Sequence, residues 1–254
     1  MYDIPKDVFW ATDEGVTRGD VSPRDDARAY VATTSWQQLL LSGYSGHHHV
    51  IRPAVTRSID ADDRVPPVRR SVGWAGDAND GSLAMLVAVA DGMRRSGAEP
   101  VTIHAFPTTQ PLKSVMDLVN DDVHIAVGAK PDVVERVLSH CAVYAAPSMS
   151  ATSFDREAAL AATYGALVVA PKKYGYPEVF GGLAYYPCIH SYDNATYAAS
   201  FASVLNEALH AALVVSRGEA SAAAVAKFAE DRVKFEWEEF LGFLKMADAV
   251  SFSG

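Results

Sequence analysis

Between residues 71 and 170 the sequence switches repeatedly between short apolar runs and stretches with helical spacing, and this constrains the fold most. Ser71-Val72-Gly73-Trp74-Ala75 reads as a strand, and Leu83, Leu86, Val87, Ala90 and Met93 mark one face of a following helix. Val101–Ala105, Val123–Val127, Cys141–Ala145 and Ala166–Ala170 read as further strands. Helical segments are expected over Leu112–Val119, Pro131–Leu138 and Asp155–Tyr164. Several of these strands are almost wholly apolar, as strands are when helices cover both sheet faces. The pattern predicts an α/β fold with a Rossmann-like, doubly wound parallel sheet. Two helices, near Thr196–Ser216 and Ala220–Met246, should flank it at the carboxyl end.

The stretch before this core is less regular. Val8-Phe9-Trp10-Ala11, Ala29–Thr34 and Val50–Val55 are strand-like. Ser35 is placed to cap a short helix over Trp36–Leu41. Residues 60–70, which include Pro66-Pro67, read as a linker. The expected division is 1–66 as a leading piece with linker, and 67–254 as the Rossmann-like domain with its closing helices.

Charge narrows the function. With 31 acidic against 22 basic residues, the net charge of −9 argues against a nucleic-acid or anionic-membrane surface as the main partner. No apolar run approaches the length of a membrane span, and the first residues carry no leader pattern. A soluble, cytoplasmic protein is expected. Cys141 sits in an apolar run and reads as a buried small hydrophobe, and together with Cys188 it makes no metal framework. His47-His48-His49 reads as a surface loop, because three successive side chains do not converge on one ion.

In a parallel sheet, ligands bind where strands end and helices begin. Four junctions qualify. Gly73, Trp74 and Gly76 belong to a glycine-containing loop that would let backbone amides approach a phosphate, or that forms a plain tight turn. It lacks the spacing of the dinucleotide fingerprint and the ending of a Walker loop. Lys130 follows the third strand and either meets a nucleotide or is solvated. Thr152, Ser153 and Phe154 precede a helix carrying Glu157, with Ser153 or Asp155 available as its cap. Lys172 and Lys173 follow the fifth strand, as anion ligands or as a solvated basic loop.

The order of several segments resembles the carboxyl-terminal domain of retaining, family-four glycosyltransferases. These are Pro147-Ser148 to Phe154, Glu157-Ala158, Tyr164–Ala170, Tyr176-Pro177-Glu178-Val179 and Arg232–Glu238. Thr34-Ser35-Trp36-Gln37 and Val50–Val55 look like the segment joining that family's two domains. The resemblance implies the donor-binding half of a GT-B fold. It implies a nucleotide-diphosphate sugar as substrate, transfer of the sugar to an acceptor, no metal and no cofactor. Gly73, Trp74, Gly76, Lys130, Thr152, Ser153, Phe154, Glu157, Lys172 and Lys173 would be the donor-binding residues. No catalytic residue is assigned.

Departures from the family pattern point to a different reading. The family's glutamate for the donor sugar falls on Thr152, and its glutamate for the ribose falls on Leu160. Its Gly-Arg and Lys-Gly pairs fall on Gly73-Trp74 and Asp80-Gly81. Glu157, Arg156, Lys172 and Lys173 are the charged residues nearest to substitute. The acceptor-binding domain would need about 150 residues, and only about 28 precede the match. A truncated amino-terminal domain is therefore expected, with the acceptor surface coming from a second copy of the chain or a separate subunit. The alternative is a catalytically inactive binding or scaffold protein. An epimerase or dehydrogenase is disfavoured, because neither the fingerprint nor a Tyr-x-x-x-Lys pair is found.

Overall fold

The computed structural model describes residues 4–11, 23, 25–59, 68–148, 150–187 and 194–251. Pro66-Pro67 of the expected linker and Cys188 lie outside the described residues. The main sheet has six parallel strands: β4 (Ser71–Gly76), β5 (Thr102–Pro107), β6 (Val123–Ile125), β7 (Val143–Ala145), β8 (Leu167–Val169) and β9 (Ala184–Tyr185). Their order is β6-β5-β4-β7-β8-β9. This is the doubly wound order, in which the chain reverses direction across the sheet between β4 and β7.

Alternating residues feed two cores. Val143, Ala145, Leu167 and Val169 face α2 (Ser82–Arg95) and α7 (Asn194–Ala211), helices numbered in chain order after the one described below. Tyr144 and Val168 face the other way, toward α4 (Pro131–Leu138), α5 (Arg156–Thr163), α6 (Tyr176–Phe180) and α8 (Arg217–Phe228). The expectation of helices on both faces therefore holds. The helix expected over Leu112–Val119 shrinks to one turn, α3 (Lys113–Met116), with no buried residue to anchor it.

A second parallel sheet, ordered β1-β2-β3, holds β1 (Val8–Trp10), β2 (Ala29–Ala32) and β3 (His47–Val50). The histidine run is thus a strand rather than a loop. His49 stacks on Phe240 with ring centroids 4.8 Å apart, and His47 meets Phe243 edge-on. Of Val50–Val55, only Val50 is strand. The helix α1 spans Ser35–Leu41, and its cap is Thr34, one residue earlier than expected, whose hydroxyl accepts from Gln37 N–H. Such a cap is worth roughly 1 kcal/mol.

The single helix expected over Ala220–Met246 is two, α8 and α9 (Glu230–Ser251), broken at Ala229 with ψ of 138°. The break has a packing cause. Phe228 is buried against α5 and α6, and its carbonyl accepts from Val55 N–H. The chain must then turn to lay Val233, Trp237, Phe240 and Leu244 on Val8, Ala29 and Val31 of the second sheet and on Ile51 just after it. None of the described helices is long and apolar enough to cross a membrane.

Candidate functional site

Among the hollows formed by the described residues, two adjoin over the carboxyl ends of β4, β5 and β7, at the switch point of the sheet. One, of about 310 Å³, is lined by Trp74, Gly76, Asp77, Asp80, Thr152, Phe154, Asp155, Arg156, Glu157 and Tyr176 among others. The other, of about 240 Å³, is lined by Phe106, Pro107, Thr108, Gly128, Pro131, Val134 and Leu160. They share Ala75, Gly76, Arg156 and Glu157, so the first turn of α5 forms the ridge between them.

Several hydrogen bonds shape this rim. Tyr144 is buried on β7, and its hydroxyl donates to Ala75 O at 3.0 Å, holding the loop after β4. Burial pushes its ionisation well above the usual tyrosine range. Asp155 caps α5 by accepting from Ala158 N–H at 2.8 Å and also accepts from the Tyr176 hydroxyl at 3.0 Å. On the β4 side, Asp77 accepts from Asn79 N–H at 2.9 Å and from the Thr109 hydroxyl at 2.5 Å. Asp80 accepts from Ser82 N–H at 2.8 Å. The carboxylates around the larger hollow are thus Asp77, Asp80, Asp155 and Glu157. Arg156 is the one cation among its described lining residues. Its guanidinium lies 3.7 Å from the Glu157 carboxylate, and both side chains are partly exposed.

The residues expected from sequence divide into groups. Trp74, Gly76, Thr152, Phe154 and Glu157 line the larger hollow. Gly73 lies buried beneath it. A Cβ there would come within 2.4 Å of Leu138 and 3.0 Å of Cys141 Sγ, so this glycine serves packing. Ser153 is buried, and its hydroxyl bonds to the hydroxyls of both Thr33 and Thr34 at the end of β2. Lys130, Lys172 and Lys173 line neither hollow; Lys130 and Lys172 are exposed. Phe106 and Thr108, which line the smaller hollow, and Tyr176, which lines the larger, were not among the site residues expected from sequence. For Phe106 and Thr108 the one legible signal was their position at the end of β5. Among the described residues no group of three or more His, Cys, Asp or Glu is placed to hold a metal ion.

No family model matches the chain, and no curated protein matches it. Solved structures do. The pneumococcal O-GlcNAc transferase GtfA, crystallised with UDP and GlcNAc, is 13% identical with a TM-score of 0.62, over 91% of this chain and 47% of that one. Sucrose-phosphate synthase from Thermosynechococcus elongatus is 14% identical with a TM-score of 0.64, over 94% of this chain and 68% of that one. Anabaena HepE, in complex with UDP and glucose, is 17% identical with a TM-score of 0.65, over 92% of this chain and 71% of that one. The fold is that of the GT-B glycosyltransferases, and the six-stranded sheet corresponds to their carboxyl-terminal, Rossmann-like half. The chain spans just under half the length of the pneumococcal protein, at 47%.

Proposed function

We propose that this chain is a glycosyltransferase-like protein that binds a nucleotide-diphosphate sugar across the two hollows. The carrying observation is their meeting at Arg156 and Glu157, on the switch point of the sheet. The apolar hollow by Phe106 and Pro107 suits the nucleoside, with Glu157 positioned to accept from ribose hydroxyls. Arg156 would take a phosphate, and the polar hollow by Thr152 and Asp155 the sugar. Several structurally similar glycosyltransferases were solved with UDP bound, which supports a uridine donor. Charge developing on the leaving diphosphate would be stabilised by the Arg156 guanidinium. Another similar solved structure is a GtfA/B complex. A second chain, identical or different, supplying the acceptor surface is part of the proposal.

Calorimetric titration with UDP tests it. Wild-type protein should bind, and Arg156→Ala should bind about tenfold more weakly, the scale of one charge-assisted hydrogen bond. No binding of UDP or GDP would sink the reading. The Lys172→Ala, Lys173→Ala double variant tests the other cations. Weaker binding would bring them to the diphosphate, and unchanged binding leaves it to Arg156.

The excess of carboxylates around the larger hollow favours a second reading, a binding protein that has lost transfer. UDP-sugar binding without any turnover, with or without added glycoside acceptors, would select it.

A further inference from the structure

From Ser82 to Ala90, α2 carries no charged side chain, and charge begins only at Asp91. The stripe Leu83, Leu86, Val87 and Ala90 is buried in the sheet core. Ala84 and Ala88 are exposed and Met85 is half-buried, so the apolar surface continues round the helix beyond what that core uses. A surface helix ordinarily turns polar side chains outward there. The start of α7 repeats the pattern. Ala195 is exposed, Ala198 is half-buried, and no charged residue stands between Asn194 and Asn206.

These two apolar faces wall a third hollow, of about 470 Å³. Ala84, Met85 and Ala88 line it from α2, Ala195 and Ala198 from α7, and Pro147 from the loop after β7. Its volume is within the range of small-molecule sites. Among its described lining residues the only polar side chains are Asp80 and Ser148, and none is aromatic. Asp80 and Ser148 also line the hollow that holds Thr152 and Asp155. The two spaces therefore adjoin at the one polar border of the apolar groove.

We propose that this groove binds the aliphatic tail of an amphiphilic acceptor, with the acceptor's hydroxyl-bearing head at Asp80 and Ser148. Apolar walls favour a tail by taking its methylenes out of water, worth about fourfold in affinity for each one buried. Without an aromatic wall the groove gives a flat ring nothing to stack on, whereas Met85 adapts to a flexible chain. The net charge of −9 opposes docking on an anionic bilayer, so the amphiphile is one free in water. Its head would face the Thr152 hollow, where the reading above puts the donor sugar. Calling the amphiphile an acceptor rests on that reading. The tail site rests on the groove alone.

Calorimetry with methyl, hexyl and octyl β-D-glucopyranoside, below micelle-forming concentrations, tests the tail site, with UDP titrated in parallel. Octyl glucoside should bind wild type more than about tenfold tighter than methyl glucoside, with a negative heat-capacity change. Ala88→Phe and Ala195→Phe fill the groove from opposite helices, and each should weaken octyl binding about tenfold. Both positions are exposed, so the two melting temperatures should stay near wild type. Affinity that does not rise with chain length, or octyl binding unchanged in both variants, would overturn the tail site. Capture on phosphatidylcholine vesicles, lost in Ala88→Phe, without octyl binding in solution overturns the assignment to a free amphiphile. UDP binding without any dependence on tail length sinks the tail site alone. Tail-dependent binding that both variants weaken, without UDP binding, keeps the tail site and sinks the donor reading.

Discussion

The carboxylate of Glu178, at the start of α6, accepts from the Arg52 guanidinium at 2.9 Å, just beyond the end of β3. The same carboxylate accepts from Ser35 N–H at 2.8 Å and from the Ser35 hydroxyl at 3.3 Å. One side chain of the six-stranded unit thus ties down two segments of the three-stranded unit. The Arg52 and Glu178 side chains are only 24% and 26% exposed, so water competes less than at an open surface pair.

Removing one partner should therefore cost more than a surface ion pair. Arg52→Ala and Glu178→Gln are each expected to destabilise the protein by about 1–2 kcal/mol. Combined, they should cost less than the sum, because they break the same contact. Urea unfolding of the two single variants and the double variant measures this. Additive losses would show that the pair is not coupled.

Glu135 predicts an acid dependence. Burial alone would push its carboxyl up, but hydrogen bonds from the Tyr164 hydroxyl and from the Ser58 N–H and hydroxyl outweigh that and hold it below its ordinary value. The folded pKa lies below the unfolded one. The stabilisation is therefore present above the unfolded pKa and disappears as pH falls through the folded pKa. At neutral pH, Glu135→Gln should be less stable than wild type by about 1–3 kcal/mol. That gap should narrow as the medium is acidified. Denaturant midpoints at several pH values check it, and a gap that stays constant would refute the assignment.

Gly175 and Gly182 make a matched pair. A Cβ on Gly175 would fall 1.8 Å from Ser153 O, a backbone atom that cannot step aside cheaply, whereas Gly182 has nothing within 4 Å. Gly175→Ala should cost about 3 kcal/mol or more, by forcing the loop away from Thr152. Gly182→Ala should stay within about 0.5 kcal/mol of wild type. Thermal melts of the two variants make the comparison, and equal melting points would contradict the close approach.

Local chemistry carried the α/β reading a long way. Pro131 at the first position of α4 and Asp155 as cap of α5 are start signals that need no tertiary context. The near-continuous apolar strands report helices on both sheet faces, because each residue must be buried on whichever side it points. Hence the sheet, its parallel sense and the strand ends that border the hollows could be read from residue order. The lining positions Trp74, Gly76, Thr152, Phe154 and Glu157 followed from that placement.

What local pattern could not carry depends on contacts between distant segments. Ser153 reads equally well as a cap or a ligand until Thr33 and Thr34, about 120 positions earlier, take its hydroxyl. The histidines at 47–49 look like a loop until α9 brings Phe240 and Phe243 against them. Ala229 has no breaker chemistry; the helix stops there because Phe228 and Trp237 belong to different cores. Lys172 and Lys173 stand at a strand end, as a phosphate ligand would, yet the tertiary fold leaves both outside the hollows and puts Arg156 there instead. By itself the sequence determined the alternating strands and helices of the six-stranded core and the strand ends over which the hollows lie, since periodicity and capping act over a few residues. Only the tertiary structure decided which side chains face one another across the rim, because that depends on how the two sheets and α9 pack together.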